Sequence, residues 1–341
     1  MKRQDLYVAV PWFQAAARDA IGQQALPELP AFAWLAARGE WSPAPQNGWR
    51  QWLLAQAGVN EPAAMLRRYP AGPCLAALAS AGSEGVASWA CAQPAHLAAA
   101  MDHLRLAASD LVLTAADAAE LVQALNQHVA DRGFSFATAV GGSWLMRCAR
   151  AVDCVTHEPA EAAGQNVHDF MPAGLAGAQL RSLMNEIQML LHEHPVNERR
   201  QRRGELTVNA LWPWGFGAPL PAAVPGSAEA QALQGIALLT DDLWLRGVWQ
   251  AHQAVAREWP TAMSEVTGKA AVAITRATTP DTARALATLD DELVSPLQAR
   301  VVAGELSELQ LFIGPQVLRL RSGARFRFWR RASANAARWL Q

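Results

Sequence analysis

The chain has 341 residues, 51% of them apolar and 17% charged, with a formal net charge of −1. That length suits about two domains and a core that needs no staples. The apolar content excludes a disordered chain, and the near-zero charge excludes a global field drawing it to nucleic acid or an anionic membrane.

Of the 29 basic residues only Lys2 and Lys269 are lysines. The alanine-rich, arginine-rich balance reads first as base composition, and selection for guanidinium forks has support at only one cluster, described below. The four cysteines, Cys74, Cys91, Cys148 and Cys154, form no CxxC and read as reduced thiols of a cytoplasmic protein. The N-terminus has the pattern of no export signal, and no apolar run of about 18 residues exists to span a membrane.

In chain order, residues 6–10 are a β-favouring run that stops at Pro11 and suits a buried strand. Residues 30–39 read as a helix with Pro near the start and Gly just past the end. Residues 41–75, rich in Pro, Gly and Trp, carry no clear pattern. Another buried strand is expected near 87–91. Thr114, with Asp117 three residues on, opens a helix carrying Leu121, Leu125 and Val129 on one face. Residues 134–138 and 143–148 read as a hairpin around Gly141-Gly142. The segment 100–150 is thus a small α+β unit, followed by a loop-like stretch to 174.

Residues 175–194 give the most regular helical pattern, with Leu180, Leu183, Met184, Ile187, Leu190 and Leu191 on one side. Arg181, Asn185, Gln188 and His192 form a polar stripe on that helix, a face suited to a protein partner, and Pro195 is expected to end it. A strand at 206–212 leads into the loop 213–217. Strands at 235–240 and 270–275 alternate with helices at 241–256 and 281–303, and a hairpin at 309–320 closes the chain. This alternation predicts an α/β fold with a mainly parallel sheet.

The segment 192–217, HEHPVNERRQRRGELTVNALWPWGFG, carries the strongest signal. Asn197, Arg200, Arg203 and Asn209 have the chemistry of an anion pocket, because guanidinium forks hold phosphate or carboxylate bidentately. The Gly215 and Gly217 backbone would approach the ligand. Asn185, His192, His194, Trp212 and Trp214 are secondary candidates. The opposing reading is that the arginines form a solvated face and the asparagines cap turns.

Asn197, Arg200, Gly204, Asn209, Gly215 and Gly217 resemble the archaeal-type cofactor-independent phosphoglycerate mutase pattern of the alkaline phosphatase superfamily. There, such a stretch leads from an inserted lid back into the core, and the lid opens on a capped helix like that at 113–126. The N-terminal segment 29–39 is similar to the superfamily's early helix. Over most of its length, including residues 185–197 and the terminal FWRR at 328–331, the chain resembles proteobacterial proteins described as RpfE-type regulatory proteins or phosphoglycerate mutases. The resemblance implies an alkaline-phosphatase-like α/β core, a mainly parallel sheet and an inserted small α+β lid lobe. The expected division is core at 1–99, lid at 100–174 and core again at 175–341.

The family's enzymes use two metal ions and a Ser or Thr nucleophile, and the ligand set expected of them is missing here. Strand one runs into Pro11-Trp12 where the first aspartate is due. The C-terminal half offers Asp241, Asp242, Asp281, Asp290 and Asp291 but only His252 beyond residue 194. Asp102-His103 and the Asp153–His157 spacing stand in the wrong chain order, and His192 and His194 face different ways on a continuous helix. The expectation is therefore a phosphoglycerate-mutase-like pseudoenzyme of the cytoplasm. It would bind a phosphorylated small molecule or a protein partner, with no cofactor, no metal, no nucleic acid and no membrane. The alternative is a metal-dependent mutase with rearranged ligands, using Mn or Zn.

Overall fold

A computed structural model describes residues 4–101, 103–109, 111–221, 226–259, 269–277, 279, 281–327 and 329–330. Asp102 and parts of the 328–331 segment lie outside them. The first stretch runs β1 (Gln4–Ala9), α1 (Phe13–Gly22), α2 (Pro30–Arg38), β2 (Glu40–Pro43), α3 (Gly48–Ala57), α4 (Pro62–Arg68). Next come α5 (Ala71–Leu78), β3 (Ser88–Ala99), β4 (Leu104–Ala108), α6 (Ala115–His128), β5 (Phe134–Thr138) and β6 (Trp144–Cys148). They are followed by α7 (Pro159–Ala162), α8 (Gly177–His192), α9 (Pro195–Arg202) and β7 (Ala210–Gly217). The return stretch begins α10 (Ala228–Gln234), β8 (Ala237–Thr240), α11 (Leu243–Ala251), β9 (Ala256–Glu258) and β10 (Ala270–Ala273). It ends α12 (Thr282–Leu289), α13 (Ser295–Ala303), β11 (Leu306–Phe312) and β12 (Gln316–Arg321).

Two compact units emerge: Met1–Leu66 with Ala223–Gln341, and Arg67–Ala222. The first holds a seven-stranded sheet in the order β2-β12-β11-β1-β10-β8-β9. Its five strands from β11 to β9 are parallel, and β12 and β2 add antiparallel strands at one edge. The expected α/β class with a mainly parallel sheet is what forms. Leu6, Val8 and Val10 alternate into one face, where they pack with Phe13, Phe32, Leu286 and Leu297 from the helices. On the other face the Trp52 ring of α3 lies 5.5 Å from that of Phe312. Asp290, buried after α12, accepts from the amides of Ala31 and Phe32 and so closes the N-terminus of α2.

The second unit is an antiparallel sheet in the order β4-β3-β6-β5, with β7 paired along β3. The sequence set the inserted lobe at 100–174, and that span lies inside this unit. The unit reaches from 67 to 222 because the twelve-residue β3 pairs with β4 and β6 and also with β7. Thr114 caps α6 as the sequence indicates, its hydroxyl accepting from the Asp117 amide at 3.0 Å. Leu121, Leu125 and Val129 are fully buried, each contributing roughly 1.5–3 kcal/mol of transfer free energy.

One local expectation holds and one fails. The helix α8 ends at His192, before Pro195 as expected, and Pro195 is the first residue of α9, where a missing amide proton costs nothing. His194 caps this helix, its Nδ1 accepting from the Val196 amide at 3.2 Å. Residues 213–217, expected as a loop, are strand β7. Pro213 is tolerated because β7 pairs with β3 alone.

Candidate functional site

The 197–217 segment was expected to hold an anion, and its polar groups are turned onto the protein's own backbone. The Asn197 side chain donates to the carbonyls of Leu191 and Val208 at 2.7 and 2.8 Å and accepts from the Val208 amide at 2.8 Å. Asn209 does the same for both backbone groups of Leu97. Arg200, 3% exposed, donates to the carbonyls of Leu206 and Val112 and pairs with Glu205. Arg203 binds Glu205 and Asp117, and Arg199 binds Asp117 and Glu120. Burial pushes the Asp117 carboxyl up, but the contacts of Arg199, Arg203 and Thr114 outweigh that and hold it below the ordinary carboxylate range. These residues are brought together, as a clamp on α6, α9 and the approach to β7.

The two glycines serve packing. A Cβ on Gly215 would lie 2.8 Å from that of Ala71, and one on Gly217 would lie 2.7 Å from Pro70 Cγ. Their bareness lets α5 lie against β7. Of the secondary candidates, Trp212 is buried and donates to the His157 carbonyl at 2.8 Å. Trp214 packs at the edge of the neighbouring apolar cluster. Asn185 and His192 are exposed on α8, and His194 is the α9 cap just described. His157 pairs with Glu161 rather than Asp153.

A second constellation lies in the first unit; of its residues the sequence offered Asp241 and Asp242, as two of five C-terminal aspartates, and neither Thr275 nor Arg50. In open parallel sheets ligands gather where the strands end at their carboxyl edge. β8 ends there at Thr240, followed by Asp241 and Asp242; β10 ends at Ala273, two residues before Thr275. Because β8 and β10 are adjacent and parallel, with Thr240 opposite Ala273, Asp241 meets Thr275. Its Oδ1 accepts from the Thr275 amide at 2.8 Å and hydroxyl at 3.0 Å, and its Oδ2 from the Arg276 amide at 3.0 Å. Burial pushes the Asp241 carboxyl above its usual range, Asp242 adds to this, and the Thr275 and Arg276 bonds oppose it.

Asp242 Oδ1 caps α11, accepting from the Leu245 amide at 2.7 Å. Its Oδ2 accepts from Arg50 Nε and Nη2 at 3.0 and 2.6 Å. The Arg50 guanidinium carbon stands 4.7 Å from the Trp49 ring centroid and 4.8 Å from that of Trp244. The Arg276 side chain is exposed beside this pair. The sequence signal available was an acid pair directly after a short apolar strand; Arg50 had none. Among the described residues, no group of three or more His, Cys, Asp or Glu side chains is placed to hold a metal ion, and no helix is long and apolar enough to cross a membrane.

Residues 101–197 match the family model of 2,3-bisphosphoglycerate-independent phosphoglycerate mutase. A probable enzyme of that name from Geobacter sulfurreducens is 30% identical over 142 residues, 40% of this chain and 34% of its own length. One from Methanothrix thermoacetophila is 35% identical over 96 residues, 28% of this chain and 24% of its own. The chain thus spans about a third or less of the curated relatives it matches. Among solved structures, the PH0037 protein of Pyrococcus horikoshii superposes with a TM-score of 0.50 at 11% identity, covering 94% of this chain and 88% of that one. A distant relation to the phosphoglycerate mutase family follows, carried by the matched segment.

Proposed function

We propose that the chain is a phosphoglycerate-mutase-type protein whose ligand is a phosphorylated small acid such as phosphoglycerate. The observation that carries this is the family match over 101–197 together with the mutases found as relatives. On this reading the protein interconverts phosphoglycerates with a ligand set of its own. The ligand's place in the proposal is the carboxyl edge of the parallel sheet, where the exposed Arg276 guanidinium supplies a fork for a phosphate or carboxylate.

Relatives of this kind are implied to work with two metal ions, which at this edge would polarise a phosphoryl oxygen and activate a nucleophile. The residues present do not fit such a pair. Asp241 already accepts three hydrogen bonds and Asp242 three, and no third ligand joins them among the described residues. That geometry favours a second reading: a binding protein without turnover, acting in regulation or through a protein partner met by the Arg181–His192 stripe of α8.

One experiment separates them. The full chain is unfolded thermally with 2- and 3-phosphoglycerate, with and without Mn²⁺ or Zn²⁺, and assayed for their interconversion. A ligand that binds only the folded state raises the midpoint. Interconversion that a chelator abolishes supports the mutase. A metal-independent shift without interconversion, reduced in Arg276→Ala, supports the binding protein. No shift and no interconversion refute the mutase and the phosphoglycerate-binding protein alike and leave action through a protein partner.

A further inference from the structure

We infer that Arg50 is the resident cation of the sheet edge, holding at Asp242 the position that a divalent ion would have to take. A carboxylate offers about four lone-pair directions. Asp242 uses two of them on Arg50 and one on the Leu245 amide. Asp241 uses two on Thr275 and one on the Arg276 amide. The guanidinium is charged at every accessible pH, so an ion approaching Asp242 meets a fixed positive charge as well as occupied oxygens.

Three features hold that charge in place. The fork reaches Asp242 through two nitrogens, and the guanidinium carbon lies within cation–π distance of both the Trp49 and Trp244 rings. Arg50 also stands in the first turn of α3, so its backbone is fixed. Its side chain is 15% exposed and that of Asp242 4%, which leaves the pair little screened by water. A lysine would supply the charge but neither the second nitrogen nor the flat face.

The inference deepens the binding-protein reading of the same edge, but its probe is Mn²⁺ alone, so a failure to bind phosphoglycerate leaves it standing. The experiment is Mn²⁺ titration of the full chain followed by the paramagnetic resonance of the free ion. The wild-type protein and Asp242→Asn, which keeps an oxygen for the α11 cap, are expected to bind Mn²⁺ equally. Arg50→Gln is expected to tighten binding at least tenfold, an effect abolished by adding Asp242→Asn and absent in Arg50→Lys. Stoichiometric Mn²⁺ bound by wild type and lost in Asp242→Asn would overturn the inference, as would an Arg50→Gln protein that folds and binds no better than wild type. Where Arg50→Gln does not fold, the comparison of wild type with Asp242→Asn decides alone.

Discussion

Asn197 separates the two readings of the 197–217 segment. Replacing it with alanine removes two hydrogen bonds it donates and one it accepts, all from a side chain in a residue 4% exposed. A net hydrogen bond is worth about 1 kcal/mol, and a buried group left unpaired costs about 1–3 kcal/mol. Three bonds and three stranded backbone groups, partly relaxed, give a loss of about 3–5 kcal/mol. The Val208 amide reports it locally. A loss of about 3 kcal/mol corresponds to roughly a hundredfold faster hydrogen exchange. Urea unfolding of the full chain should show the matching fall in the transition that includes the α9–β7 region. A change below about 1 kcal/mol in both measurements, with loss of phosphoglycerate binding, would refute the staple argument and restore Asn197 as a ligand residue.

Three further outcomes are expected. Gly215→Ala should cost more than Gly204→Ala in urea unfolding: both have positive φ, at about 1 kcal/mol, but only Gly215 adds a 2.8 Å clash with Ala71, for about 1–3 kcal/mol more. Asp117→Asn should lower the thermal midpoint while Arg202→Ala leaves it unchanged, because Arg199 and Arg203 converge on Asp117, whereas Arg202 and its partner Glu198 are both exposed. Burial lowers the His194 pKa below 6.5, so the unfolded chain takes up the proton first. Stability from the neutral imidazole is then full above the unfolded value of about 6.5 and is lost as pH falls from there through the lower folded-state pKa. His194→Asn, which can still cap α9, should flatten the unfolding midpoint between about pH 7 and 5; an unchanged slope would refute the assignment.

What was legible in the sequence is what depends on neighbours in the chain. Thr114 and Asp117 announced their helix because a cap is a three-residue device, and Gly141-Gly142 announced its hairpin because both residues need positive φ. Pro195 marked the end of α8 but not the start of α9, because proline follows one helix and opens the next with equal ease, and the His194 cap is what opens the second. Asn197 and Arg200 looked like ligand residues because an asparagine reaching backbone 11 residues on, or a guanidinium reaching the Val112 carbonyl, leaves no local trace. Arg50 and Asp242 are 192 positions apart and meet only through the fold.

The matched segment and the sheet edge also lie in different compact units, and this decides how far the relationship reaches. Residues 101–197 fall wholly within 67–222, and the stretch just after them, to 217, is accounted for by the backbone clamp of Asn197, Arg200 and Asn209 and by the packing of Gly215. That match therefore speaks for how the second unit is built. The sheet-edge groups of the proposal, Asp241, Asp242, Thr275 and Arg50, belong to the first unit and lie outside it. A lobe can keep its architecture while the Asp242 carboxylate of another unit is bound by Arg50, since the clamp residues have their own partners. Fold likeness alone does not settle activity. The Mn²⁺ titration at Asp242 and the phosphoglycerate assay thus measure independent properties, and a protein that is metal-blind at Asp242 yet interconverts phosphoglycerates would have to draw its ligands from elsewhere in the chain.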